Sequence, residues 1–249
     1  MLASTEARRR SIAADIAFAC SVLGLALLAF APLGSYLGVL SPFVGFALAG
    51  GALPLALVAL GAGIVGVVRT RKTTGRAGRE RAWVGFAFGA GLLGLGVVLL
   101  AVRPRLPRIN DITTDTADPP RFVAATLAPE NAGRDLAYPA TFAAEQRAGY
   151  PDLRPIPLDV APPQAFGRAL AAAKALGWTI VATSPERGHI EAKAISRVFH
   201  FVDDIVVRVR PFARGSVVDV RSKSRDGKGD MGVNAARIRA FDQKLRSSS

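Results

Sequence analysis

The clearest chemical pattern in the chain is Gly227-Lys228-Gly229-Asp230-Met231-Gly232, which matches G-x-G-x-x-G. Such a loop, placed after a strand and before a helix, cradles a pyrophosphate on backbone N–H groups. The dinucleotide fingerprint also needs a parallel βαβ unit with an acidic residue about 20 positions on, and none follows within the chain. What remains is a glycine-rich loop that delivers Asn234 as a helix cap, with room for a small anion at the helix N-terminus. Arg221, Lys223, Arg225, Lys228 and Arg237 surround this loop, with Asp226 and Asp230 among them. The grouping reads either as an internally paired, solvated loop or as a site for an acidic group, such as a lipid headgroup or an envelope polysaccharide.

Other constellations are weaker. Asp111, Asp115 and Asp118 lack the alternation and closing glutamate of a calcium loop, so capping and turn roles suffice. His189 and His200, the two histidines, fall on different predicted segments without metal-ligand spacing. G-x-S-x-G, H-E-x-x-H and P-loop patterns are missing. The sequence thus offers no catalytic residue, cofactor or metal site. Cys20 is the single cysteine, which rules out an intrachain disulfide and a thiolate metal site. Phe18 in Ala17-Phe18-Ala19 argues against a lipoprotein acceptor at Cys20, and the long apolar run argues against a cleaved leader.

The elements that would position these residues fall into two parts. Apolar runs Ile12–Leu40, Phe43–Val68 and Ala82–Val102 fill the first 102 residues, with Asp15 as the one charge inside them. A helix needs about 20 mostly apolar residues to cross the hydrocarbon layer. The expectation is an anchor over 1–102, with transmembrane helices at about 12–34, 43–68 and 82–102, and a soluble domain over 103–249. Net charge is +13, with +6 on residues 1–102 and +7 on the rest. Such a balance raises nucleic acid as a partner, but membrane proteins retain Lys and Arg in cytoplasmic loops, and nucleic acid is not expected.

Arg8, Arg9 and Arg10 precede the first run, and the Ser35–Pro42 connection carries no charge. The second connection holds Arg69, Arg71, Lys72, Arg76, Arg79 and Arg81 against Glu80. This asymmetry predicts a multi-pass protein of the inner membrane of a Gram-negative bacterium. Its N-terminus is cytoplasmic and its C-terminal domain periplasmic, although Arg103, Arg105 and Arg108 pull mildly the other way. Pro32 and Pro54 are expected to kink their helices. Gly85-x-x-x-Gly89 lets helices approach closely and is assigned to packing within the bundle. With Asp15 near the edge and no other charge inside the runs, a transport pathway has no support.

In the soluble part, Asp118 as N-cap with Pro119 at the first position predicts a helix over Pro119–Leu127 that buries Phe122. The stretch to Pro163 reads as irregular. A helix over Gln164–Leu176 stops at Gly177. Alternation then predicts strands Trp178–Ser184, His189–Ser196, Ile205–Pro211 and Gly215–Lys223, and a helix over Asn234–Arg246 closes the domain. The fold class is an α-helical membrane anchor plus an α+β soluble domain, whose mainly antiparallel four-stranded sheet packs on helices. Pairing Pro211 near Ser216 sets Arg208 opposite Asp219. The outer face then displays Lys193, Arg208, Arg210, Arg221 and Lys223.

Several blocks resemble a known family. They are Pro107-Arg108-Ile109-Asn110-Asp111-Ile112-Thr113-Thr114-Asp115, Ser196-Arg197, Asp203-Asp204-Ile205-Val206-Val207-Arg208-Val209-Arg210, Val218-Asp219-Val220-Arg221 and Asp230-x-Gly232-x-Asn234-Ala235-x-Arg237-Ile238. Together they resemble the bacterial domain-of-unknown-function family numbered 1499, over residues 104–245. The resemblance implies an envelope or membrane setting and no activity. Candidate ligand-binding residues are Arg197, Arg208, Arg221, Arg225, Asp230, Asn234 and Arg237. The expected function is a non-enzymatic binding or scaffolding module for an acidic envelope component. Expected partners are the lipid bilayer, an anionic lipid or envelope glycan, and other membrane subunits. Alternative readings are an enzyme acting through clustered Asp and Arg residues, among them Asp203 and Asp204, or a structural subunit of a membrane complex.

Overall fold

Alanine, glycine and serine turn inward in the N-terminal helices while leucine, valine and phenylalanine turn outward. The computed structural model describes residues 9–74, 76–101 and 106–247. It divides into two compact units, Met1–Pro104 with Arg197–His200 and Arg105–Ser196 with Phe201–Ser249. The expected exit through Arg103, Pro104 and Arg105 lies outside the described residues, as do Arg8 and Val102.

The first unit holds α1 (Ile12–Tyr36), α2 (Pro42–Gly50), α3 (Ala52–Arg69) and α4 (Arg79–Ala101). Three stretches, Ile12–Tyr36, Pro42–Arg69 and Arg79–Ala101, are long and apolar enough to cross a membrane. The middle one is interrupted at Gly51 because Pro54 has no N–H for the Gly50 carbonyl. Pro32, by contrast, sits inside the unbroken α1. Ala14, Ala17, Ser21, Ala56, Gly63 and Gly89 are among the residues buried between the helices. A Cβ on Gly63 would lie 2.6 Å from the Phe86 nitrogen, and one on Gly85 would collide with Ala17. The Gly85 and Gly89 pair therefore packs on α1 and α3 of the same chain. Asp15 is paired with Arg81 at 2.5 Å.

In the second unit the sheet strands are β1 (Asp111–Thr113), β2 (Ile156–Leu158), β3 (Thr179–Ser184), β4 (His189–Ile195), β5 (Val202–Phe212) and β6 (Gly215–Ser224). The helices are α5 (Ala124–Leu127), α6 (Phe142–Gly149), α7 (Pro162–Ala175) and α8 (Val233–Ser247). The expectation of four strands is corrected to six in the order β1-β6-β5-β4-β3, with β2 also pairing β6, all antiparallel. Strands β1 and β2 have three residues each, too few for alternation to show. In the central hairpin Pro211 pairs Ser216 and Arg208 pairs Asp219.

One sheet face carries Ile190, Ala192, Ile205, Val207, Val209, Val218 and Val220 against α7 and α8, where Phe166, Ile238, Phe241 and Leu245 complete the core. Trp178 stacks on Phe241 at 5.1 Å between centroids. The opposite face is buried too, which corrects the expectation of a displayed cationic surface. Glu191, Asp204, Val206, Asp219 and Arg221 are all buried there, because the irregular segment 114–140 folds back over them. The helix expected over Pro119–Leu127 shrinks to Ala124–Leu127. Asp118 does not cap it, since its carboxylate and carbonyl both accept from Arg208.

Candidate functional site

Arg221 organises the second face. It lies in β6 directly opposite Val206, so strand alternation points it away from the helices. Only 1% of it is exposed. Its Nε and Nη2 donate to the two Asp111 oxygens at 2.8 and 2.7 Å, a bidentate pair. Nη1 donates to the Pro120 carbonyl and Nη2 to the Leu136 carbonyl. Phe122 and Tyr138 stack over the guanidinium at 4.8 and 5.6 Å. Lys223 Nζ adds a third contact to Asp111 at 2.9 Å. One arginine thus ties β1, Pro120, Leu136 and two aromatic rings to the sheet.

The neighbouring charges are matched in the same way. Arg208 and Arg210 each donate through Nε and Nη2 to Asp219 Oδ2, at 2.7–3.1 Å. Asp115 Oδ2 lies near both, while its Oδ1 accepts the Ala117 and Asp118 N–H groups. Arg225 forms a bidentate pair with Asp204, which also accepts from Asn131. Buried Glu191 accepts the N–H groups of Val123, Ala124 and Ala125 at 2.7–2.8 Å and contacts His189 Nε2 at 2.8 Å. It fills the capping role that Asp118 leaves open.

The remaining expected site residues lie elsewhere. Arg237, on α8, pairs with Asp203 at 2.5 Å on the helix-covered face. Asn234 is not a cap; it sits in the first turn of α8 and donates to Ser224 Oγ and the Asn110 carbonyl. Asp230 caps instead, accepting the Gly232 and Asn234 N–H groups. Arg197 is exposed in the connection between β4 and β5. The seven residues therefore form no single site. Arg208, Arg221 and Arg225 share one face, Asp230, Asn234 and Arg237 gather at the start of α8, and Arg197 stands apart. The carboxylates proposed for acid–base work do not converge either, since Asp203 pairs with Arg237 and Asp204 with Arg225 on opposite sheet faces.

A feature that the sequence did not single out is open and concave. A cleft of about 600 Å³ sits over the Arg221 layer, walled by Pro119, Phe122, Leu136 and Tyr138, with Arg121 and Asp135 also lining it. Burial, with the Asp111 charge second, pushes the Tyr138 phenol up to about 12. The phenol thus stays neutral and donates to Gln146 Oε1 at 3.1 Å. Arg147 reaches Thr116, another lining residue, at 3.1 Å. Thr126 and Asp135 also line the cleft, the Thr126 hydroxyl donating to the Val123 carbonyl and Asp135 Oδ1 accepting the Ala137 N–H. The lining suits an apolar or planar body, with cations near it for an acidic group.

The model of the family described as "Protein of unknown function (DUF1499)" matches residues 111–245. The chain belongs to this family. No curated protein matches it.

Burial pushes the Glu191 carboxyl up, but hydrogen bonds from His189 and the three backbone N–H groups outweigh it and hold the group below the ordinary carboxylate range. A carboxyl with a lower pKa folded than unfolded contributes stability above the unfolded value of about 4.3. That contribution disappears as pH falls through the folded value. Chemical unfolding of the full chain in detergent is expected to show Glu191→Gln weakened by about 1.5–3 kcal/mol at pH 7. The gap from the native protein is expected to narrow on acidification below about pH 4.

Proposed function

We propose that the chain is an integral protein of a Gram-negative inner membrane, with a cytoplasmic N-terminus and residues 103–249 in the periplasm. There it acts as a non-enzymatic binding or scaffolding module for an acidic envelope component. The observation that carries the membrane reading is the inverted polarity of the helical unit. Leu25, Phe30, Leu57, Val97, Leu99 and Leu100 are each more than half exposed, while small residues fill the interior. In water each such side chain costs about 1.5–3 kcal/mol relative to burial; against lipid tails the cost vanishes, and small residues are what close helix contacts need. Orientation is supported by the basic connection between α3 and α4, which hydrogen-bonds through Ala77 to Arg9 and Ser11. The connection Leu37–Ser41 carries no charge.

The binding reading rests on the cleft. Arg208, Arg221, Arg225 and Arg237 are spent on internal carboxylates. The lining by Phe122, Leu136 and Tyr138, with Arg121 beside them, favours a ligand with an apolar or planar body and an acidic group.

Two measurements test the reading. Ala140→Cys, in the cleft, is expected to react with a membrane-impermeant maleimide in spheroplasts, and Thr73→Cys only after permeabilisation; the reverse pattern contradicts the orientation. Native mass spectrometry of the full chain from mild detergent is expected to show a bound species of discrete mass. Ala140→Trp, which fills the cleft, should lack it. Identical spectra from both proteins contradict the cleft reading.

A further inference from the structure

The connection between α3 and α4 forms an open cavity of about 390 Å³ lined by Arg71, Lys72, Arg76, Arg79, Glu80 and Arg81. Five cations face one glutamate there. Arg81 is committed to Asp15 at 2.5 Å, and the Thr70 hydroxyl to the Gly66 carbonyl at 2.8 Å. Lys72, Arg76 and Arg79 are exposed around the opening.

The loop is fastened in place. Ser11 N–H donates to the Ala77 carbonyl and Ala77 N–H to the Arg9 carbonyl, each at 3.1 Å, which brings a further basic segment to this end of the unit. Gly78, at φ +111°, makes the turn into α4, and a Cβ there would lie 3.1 Å from Ala14 Cβ. The first turn of the 23-residue α4 lines the cavity, so the positive end of its dipole adds to the field. Outside the cavity the same two helices expose Val65, Val68, Trp83 and Val84. A cation-lined concavity is thus followed along the same two helices by exposed apolar side chains, a tryptophan among them.

We propose that this cavity binds the phosphate headgroup of an anionic phospholipid, with the acyl chains lying along Val65, Val68, Trp83 and Val84. The inference rests on the membrane reading above, which sets the ends of α3 and α4 in the headgroup layer. Clustered Lys and Arg at a cytoplasmic helix end attract anionic lipid. The concave form and the adjoining apolar strip select a lipid over free phosphate, which would use only the cations.

The test uses Trp83 as reporter, since Trp178, the other of the two tryptophans, is buried in the soluble core. The full chain is reconstituted in phosphatidylcholine vesicles with a rising fraction of phosphatidylglycerol, one lipid or the other brominated on its acyl chains. Brominated phosphatidylglycerol is expected to quench Trp83 at much lower mole fraction than brominated phosphatidylcholine. Lys72→Gln plus Arg76→Gln is expected to weaken that preference by about 30-fold, from the typical contribution of two surface cations. Arg214→Gln plus Lys228→Gln, exposed in the other unit, should leave it intact. Equal quenching by both lipids, or an undiminished preference in the first double variant, overturns the site while leaving membrane insertion standing. Displacement of the lipid by inorganic phosphate at matched concentration overturns the lipid as ligand. Quenching by neither lipid overturns the membrane reading and this inference with it.

Discussion

A fully buried arginine is the constraint on which the C-terminal sheet unit depends. Removing a guanidinium from water is so costly that its N–H groups must be matched and its charge balanced. Arg221 meets that demand with Asp111, two carbonyls and two aromatic rings. Every one of these partners comes from residues 111–138, far away in sequence. The segment therefore has a defined place over the sheet with little regular structure of its own. The cleft between Phe122, Leu136 and Tyr138 is a by-product of the same tie, because both rings that wall it are held by the guanidinium face.

The two units distribute their apolar side chains in opposite ways. The helical unit buries small residues and exposes large apolar ones, a pattern suited to a surrounding without water. The second unit buries its large apolar residues against α7 and α8 and pairs most polar groups on the second sheet face, Asp219 Oδ1 and Asn131 Oδ1 being buried without a hydrogen-bond partner. Net positive charge is also used differently. In the second unit Arg208, Arg210, Arg221, Lys223, Arg225 and Arg237 are paired with carboxylates, whereas the connection between α3 and α4 sets five cations around one concavity. The surplus of cations thus includes a concentrated group at one end of the helical unit.

Much of the architecture was legible because it depends on local period. The apolar runs gave three long helices, and alternation in His189–Ser196, Ile205–Pro211 and Gly215–Lys223 gave the core strands and the Arg208–Asp219 register. Features set by distant partners were not legible. Asp118-Pro119 has the local form of a helix start, yet Arg208 claims Asp118, and Glu191, 68 positions from Val123, supplies the cap. Arg208, Arg210 and Arg221 at alternate positions look the same whether they face water or buried carboxylates. One signal pointed the right way. A second set of charges, Asp111, Asp115 and Asp118, lay upstream with the opposite sign, and it would have suggested that the outer face is covered. The cleft left no such mark, since Phe122, Leu136 and Tyr138 come from a segment without periodicity.

Amide hydrogen exchange on the full chain in detergent, native against Arg221→Met, tests the central claim most directly. If the guanidinium holds the covering layer, exchange will rise across Asp111–Tyr138 while Ile205–Val209 and α8 keep their protection. Unchanged protection over Asp111–Tyr138, or an equal loss throughout the sheet and α8, would contradict the account.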